Sequence, residues 1–168
     1  VHDAAGFENR STAYDGETPN PWYYEMPEVG WNYRIPDVLC ALGISQLAKL
    51  DRFHARRREL ATLYEQLLAP LAPAIRPVSR PNEAHGWHLY VVNVDFPALG
   101  TTRARFMKGL PDEGIGTQVH YIPLHWQPYY RRRYGDIQLP GAEAYYARCL
   151  SIPLFRGMQD EDVERVTS

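Results

Sequence analysis

Two polar side chains precede an apolar helix pattern in the stretch GWNYRIPDVLCALGISQL, residues 30–47. Asn32 supplies an amide and Arg34 a guanidinium, just ahead of Pro36 and Asp37, which are typical of a first helical turn. An amide and a guanidinium beside the free N–H groups of a helix start bind anions well. The segment therefore predicts an anion site. In the structural alternative, Asn32 caps the turn locally and Arg34 pairs with a nearby carboxylate.

A second group of polar residues lies in GTQVHYIPLHWQPYY, residues 116–130. In a strand, Gln118 and His120 would share one face, and Val119 and Tyr121 the other. Imidazole and amide groups among aromatic rings suit stacking on a nucleobase or sugar and hydrogen bonding to hydroxyls or phosphate. The alternative is a core strand followed by a packed aromatic loop. Nearby residues that could join the cluster are His88, His125, Trp126, Tyr129 and Tyr130.

Other chemistries find little support in the residues. His120 and His125 lack the spacing and the third ligand of a zinc site, so no metal is predicted. The arginines 131–133 are typical of a solvated surface, and no nucleic-acid-binding module accompanies them. There is no nucleophile elbow, phosphate loop, dinucleotide fingerprint or CxxC pair. Residue chemistry alone thus predicts a domain with an anion site and defines no reaction.

The composition is that of an ordinary globular protein. The 168 residues are 45% hydrophobic and 23% charged, with a net charge of −2 that favours neither nucleic acid nor an acidic membrane. No apolar run approaches the roughly 20 residues that cross a bilayer, and the first ten residues do not read as a signal peptide. Cys40 and Cys149 lie in helical patterns and are expected to be buried free thiols, which fits a cytoplasmic location.

The periodicity predicts an α+β domain in which helices cover one side of an antiparallel sheet. Residues 1–27 show no period, but the aromatic residues Tyr14, Trp22, Tyr23 and Tyr24 favour docking onto a folded body. Apolar positions predict a helix from Pro36 and a second one from Asp51, ended by Pro70. Further helices are expected at 101–114, 141–150 and 160–166, strands at 74–78, 87–96, 115–121 and 151–154, and a turn at 128–135.

Several segments resemble, in order, the DegT/StrS family of sugar aminotransferases. The first contains a G-x-N-x-R start, an apolar helix and a basic continuation, and the resemblance covers residues 28–168. The segments are GWNYRIPDVLCALGISQLAKLDRFHARRRELATLYEQLL, HLYVV, GIGTQVHYIPLHWQPYY, AEAYYARCLSIPLF and MQDEDVERV. The resemblance implies the small C-terminal domain of the aspartate-aminotransferase-like architecture, known as pyridoxal-phosphate fold type I. Residues 1–35 would end the large cofactor domain, 36–70 would form connecting helices, and 71–168 the small domain.

The resemblance also implies a reaction. These enzymes use pyridoxal 5'-phosphate to move an amino group from L-glutamate to the C4 ketone of a nucleotide-linked sugar, and they work as homodimers. Here the sugar would be a UDP-linked 4-keto-6-deoxy sugar on the route to pseudaminic acid. Asn32 and Arg34 match the motif that binds the cofactor or substrate across the subunit interface. Gln118, Val119, His120 and Tyr121 match the segment that lines the nucleotide-sugar pocket.

One required residue has no match in this sequence. The family's Schiff-base lysine precedes the G-x-N-x-R segment, whereas Lys49 and Lys108, the only lysines, both follow it. The resemblance therefore implies a C-terminal portion with no catalytic residue of its own, unable to transaminate alone. The alternative function is a non-catalytic nucleotide-sugar-binding or interaction domain. Neither hypothesis includes a nucleic-acid or membrane partner.

Overall fold

The structure, a computed structural model, describes residues 7–30, 35–78 and 85–168. A three-stranded antiparallel sheet contains β3 (Ile75–Pro77), β4 (Tyr90–Val94) and β5 (Cys149–Ile152), with β4 in the centre. The other elements are α1 (Arg10–Ala13), the hairpin β1 (Tyr14–Asp15) and β2 (Thr18–Pro19), α2 (Asp37–Leu47), α3 (Leu50–Leu68), α4 (Arg103–Gly109), α5 (Pro128–Tyr134), α6 (Pro140–Arg148) and α7 (Asp160–Thr167).

The core lies between β4 and α3. Alternation along β4 points Tyr90, Val92 and Val94 to one face, where each is at most 2% exposed. Leu60 and Tyr64 of α3 are completely buried against this face, and the rings of Tyr64 and Tyr90 stack with their centroids 4.7 Å apart. The predicted α+β class, an antiparallel sheet with helices packed against it, is confirmed.

Helix α7 and the residues just before it are tied to α3. Arg56 of α3 donates hydrogen bonds of 2.8 Å to the Met158 carbonyl and to the Asp160 carboxylate. Gln159 and Asp162 form a capping box, which satisfies backbone N–H groups at the start of α7. Arg56 belongs to the charged run RRRE, residues 56–59, whose composition is typical of a solvated surface. Its long side chain instead reaches across to α7.

The N-terminal segment docks onto the body, as its aromatic residues led us to expect. Trp22 and Tyr23 are buried, whereas Tyr24 is 38% exposed. The Met26 N–H donates to the Gln127 side chain at 2.8 Å, and the Met26 carbonyl accepts from the N–H of Tyr129 at 3.2 Å. The aperiodic sequence therefore forms a wrapped segment that is stabilised by contacts far along the chain.

Arg103 joins this segment to the sheet. Its guanidinium lies 4.4 Å from the ring centroids of both Trp22 and Tyr146, and it donates to the carbonyls of Tyr146 and Cys149. Burial lowers the pKa of Arg103. The cation is stabilised there by two aromatic rings and two carbonyl oxygens in place of water.

Two predicted elements, at 128–135 and at 141–150, differ in the structure. The turn at 128–135 is instead α5, because Pro128 suits a first helical turn and Gly135, at φ +76, ends the helix. The helix predicted over 141–150 stops at Arg148, so Cys149 is buried in β5 rather than in a helix. The first two helices begin at Asp37 and Leu50, close to the predicted positions.

The strand predicted at 115–121 is reduced to one bridge, between Gln118 and Ser151. The next rung of that ladder would join His120 to Cys149. Its acceptors are taken by side chains, because the His120 carbonyl accepts from the phenol of Tyr145 and the Cys149 carbonyl accepts from Arg103. The strand prediction is therefore wrong for most of its length.

Helix α2 has no buried residue. The apolar stripe that includes Leu39, Leu42 and Leu47 is 47–67% exposed, and Cys40 is exposed as well. The expectation that Cys40 is buried is therefore wrong, because no described part of the chain covers the helix. No helix among the described residues is long and apolar enough to span a membrane.

The contrast between α2 and α3 yields a stability prediction. Leu60→Ala should lower the free energy of unfolding of the 168-residue chain by about 2–5 kcal/mol, because it leaves a cavity in a fully buried site. Leu42→Ala is the matched control and should change it by at most about 0.5 kcal/mol, since Leu42 is 54% exposed. Urea denaturation measures both. Equal losses in the two variants would contradict the described core.

Candidate functional site

The candidate site is the segment Gln118–Tyr121, which runs beside the outer edge of β5. The Gln118 N–H donates to the Ser151 carbonyl at 3.1 Å, and the Ser151 N–H donates to the Gln118 carbonyl at 2.7 Å. Val119 is buried in the core, while Gln118 is exposed and Tyr121 is 58% exposed. One pair of backbone hydrogen bonds thus presents polar and aromatic groups from the edge of a rigid sheet.

His120 is held at its ring and at its backbone. Its Nδ1 lies 2.7 Å from the hydroxyl oxygen of Ser151, and its carbonyl accepts from the Tyr145 phenol at 2.9 Å. The ring meets that of Tyr121 edge-on, with centroids 4.6 Å apart, and the peptide bond between the two residues is cis. The half-buried imidazole is therefore fixed in orientation.

The site is polar but uncharged at neutral pH. Burial lowers the pKa of His120, and the neighbouring His88 lowers it further. Burial raises the pKa of Tyr145, so its phenol keeps the proton that it donates. Neutral imidazole and phenol groups can hydrogen-bond to the hydroxyl, carbonyl or phosphate oxygens of a sugar nucleotide.

The predicted alternation holds only in part. Val119 is buried and Gln118 is exposed, as expected, but Tyr121 is exposed although it was predicted to share the face of Val119. The reason is that the segment is not a regular strand beyond the Gln118 bridge. His88, a candidate neighbour of the cluster, does lie close enough to His120 to affect its pKa.

The second half of the predicted cluster belongs to the packing of the body. His125 is buried, and its Nε2 lies 3.1 Å from a carboxylate oxygen of Glu143 in α6. Trp126 meets Tyr146 edge-on with centroids 5.4 Å apart, and Tyr129 and Tyr130 pair with each other at 5.2 Å. These residues therefore pack within the body, as the alternative expected, although Tyr129 and Tyr130 do so from α5 rather than from a loop.

Among the surface cavities formed by the described residues, four have volumes of about 300–600 Å³, and none of these four is lined by residues 118–121. One of about 600 Å³ lies between the β1–β2 hairpin and α4, and one of about 350 Å³ is lined by His125 and Glu143. Gln118 and Tyr121 are both exposed, so the segment 118–121 forms an open platform beside β5.

Sequence reasoning missed Ser151 and Tyr145. Ser151 was the one available signal, because it is a polar residue within the apolar stretch CLSIPL. Its contact with His120 depends on the register between β5 and an irregular segment, which no local pattern encodes. Tyr145 was read as part of a helix only.

Asn32 and Arg34, the predicted cofactor residues, lie outside the described residues. Lys49 and Lys108 are both exposed on the surface, so neither lies in an enclosed site that could hold pyridoxal phosphate. Within residues 7–30, 35–78 and 85–168, no three His, Cys, Asp or Glu side chains lie close enough to hold a metal ion.

Comparison with known proteins defines the class of the chain. Residues 4–168 match the DegT/DnrJ/EryC1/StrS aminotransferase family. The chain is 40% identical over 148 residues to the spore coat polysaccharide biosynthesis protein SpsC of Bacillus subtilis, covering 86% of this chain and 38% of SpsC.

Solved structures agree with this match. Helicobacter pylori PseC, an aminotransferase involved in the biosynthesis of pseudoaminic acid, superposes with a TM-score of 0.72 at 26% identity over 85% of this chain and 38% of PseC. Spr1654 from Streptococcus pneumoniae, solved in PLP and PMP forms, gives 0.70 at 25% identity over 87% of this chain and 37% of its own. The chain belongs to the DegT/DnrJ/EryC1/StrS aminotransferase family, and it spans about 38% of the length of the curated relative SpsC.

The lowered pKa of His120 predicts a pH dependence of stability. Above the ordinary histidine pKa of about 6.5, His120 is neutral in both the folded and the unfolded chain. As the pH falls below that value, the unfolded chain gains a proton that the folded chain resists, so stability falls until the pH is below the folded-state pKa.

His120→Gln should therefore lose less stability than the wild type between pH 7 and pH 5, as measured by urea denaturation at each pH. An unchanged pH profile for His120→Gln would contradict a half-buried, neutral His120.

Proposed function

We propose that this chain is the C-terminal part of a pyridoxal-phosphate-dependent aminotransferase. The longer protein transfers an amino group from L-glutamate to the C4 ketone of a UDP-linked 4-keto-6-deoxy sugar. The product would be UDP-4-amino-4,6-dideoxy-N-acetyl-β-L-altrosamine, in the biosynthesis of pseudaminic acid. Family membership and the likeness to PseC support this proposal.

The single observation that carries the proposal is the arrangement of Gln118, His120 and Tyr121. An exposed amide, a neutral imidazole with a fixed ring and an exposed phenol ring lie next to one another on the edge of a rigid sheet. Such groups can bind a sugar nucleotide by hydrogen bonds and ring stacking without adding charge. Val119 contributes differently, because its burial anchors the segment to the core.

In this proposal, the small domain in this chain binds the sugar nucleotide, and the rest of the protein supplies the cofactor lysine. Residues 1–35 end the cofactor domain, 36–70 connect the domains, and 71–168 form the small domain that holds the sugar nucleotide. Asn32 and Arg34 contact the cofactor phosphate or the substrate across the interface of a homodimer. Pyridoxal phosphate, when bound, supplies the carbonyl carbon that carries the amino group, and its lysine comes from outside this chain.

The proposed pocket is tested by binding of UDP-N-acetylglucosamine to the full-length protein, measured by calorimetry. His120→Ala should weaken binding roughly tenfold, because it removes a fixed hydrogen-bonding group from the ligand. Gln138→Ala, at an exposed site in the 350 Å³ cavity, is the matched control and should bind like the wild type. Unchanged affinity in His120→Ala would refute the pocket.

The proposal that the cofactor lysine lies outside this chain is tested on the 168-residue chain. After incubation with pyridoxal phosphate and borohydride, mass mapping should find no specific pyridoxyl adduct on Lys49 or Lys108, because both are exposed and neither is enclosed. The full-length protein should carry one adduct per subunit, upstream of Asn32. A stoichiometric adduct on Lys49 or Lys108 that accompanies turnover would show that this chain supplies the lysine.

A further inference from the structure

Ser151 occupies an unusual position for a polar residue. It is 5% exposed in β5, where its backbone is bonded to Gln118 on one side and pairs with Val91 of β4 on the other. The side-chain oxygen is therefore fixed in space by two neighbouring backbones. Its partner is Nδ1 of His120, at 2.7 Å.

The hydrogens of this contact can be placed in two ways. Either the Ser151 hydroxyl donates to Nδ1, or Nδ1–H donates to the hydroxyl oxygen. In the second arrangement the hydroxyl hydrogen needs another acceptor, and within the described part of the chain Ser151 Oγ bonds to His120 alone. A buried donor without an acceptor is strongly unfavourable. The first arrangement satisfies both groups.

The choice of donor determines the other ring nitrogen. A neutral imidazole carries one hydrogen, so an acceptor at Nδ1 places that hydrogen on Nε2. His120 Nε2 has no hydrogen-bond partner among the described residues, and it is not one of their buried unpartnered atoms. It is therefore accessible from the open platform.

We propose that Ser151 is a positioning residue for His120, fixing the Nε2–H tautomer so that the ring presents a neutral donor to an oxygen acceptor of the sugar nucleotide. This inference rests on the proposed function, in which His120 faces that ligand. Tyr145 supports the same geometry through the His120 carbonyl, at 2.9 Å. His120 in this state binds an oxygen and does not accept a proton through Nε2.

The tautomer can be read directly from ring-nitrogen NMR shifts of the ¹⁵N-labelled 168-residue chain at neutral pH. His85 is an internal reference, because its Nδ1 accepts from the Trp87 N–H at 2.9 Å and its hydrogen must also be on Nε2. Wild-type His120 should show the same pattern. Ser151→Ala should shift His120 alone towards a mixture of tautomers, and Ser151→Thr, which keeps the hydroxyl, should restore it.

Ser151→Cys is the second variant, for use if Ser151→Ala does not fold. A thiol has a shape similar to that of the hydroxyl but is a weak hydrogen-bond donor, so this variant should also give a mixture of His120 tautomers. The inference would be overturned if wild-type His120 carried its hydrogen on Nδ1. It would also be overturned if the tautomer of His120 did not change on loss of the Ser151 hydroxyl.

A binding measurement on the full-length protein with UDP-N-acetylglucosamine separates this inference from the proposed function. Ser151→Ala should weaken binding severalfold, by less than His120→Ala. Loss of affinity in His120→Ala with none in Ser151→Ala would overturn the positioning role alone. Unchanged affinity in both would refute the proposed pocket, while the NMR result would still decide the tautomer.

Discussion

The candidate site depends on one pair of backbone hydrogen bonds, between Gln118 and Ser151. This bridge fixes an irregular segment to a sheet whose other strands are locked by the core, so the position of His120 follows from the packing of β4 and α3. Because side chains take the acceptors of the next rung, the segment leaves the sheet after one bridge. Its side chains are then free to face outward rather than to extend the ladder.

Much of the fold could be predicted from the sequence, because its signals are local. The apolar alternation of β4 and the acidic start of α7 are each contained in about ten residues, and both elements appear where the pattern places them. Helix α5 was missed because a run of arginines resembles a solvated turn, although Pro128 and Gly135 mark its two ends. The burial of Cys40 on α2 was wrongly predicted because periodicity shows that a helix has an apolar face without showing what covers it.

The site was predictable to a different degree. The segment Gln118–Tyr121 was indicated first by its residue types and then by resemblance to a family, and the family is confirmed by the match over residues 4–168. The partners that orient it, Ser151 and Tyr145, are some 25–31 residues away along the chain. Their role depends on strand register and on which acceptors remain unpaired, and both are properties of the folded chain rather than of any short motif.

The exposure of α2 also has a practical consequence. Of the two cysteines in the sequence, Cys149 is buried and Cys40 is exposed on that helix. Burial raises the pKa of the Cys149 thiol, so its reactive thiolate is suppressed. A maleimide reagent would consequently modify the chain at one position, and protection of Cys40 in a larger assembly would map directly where α2 is covered.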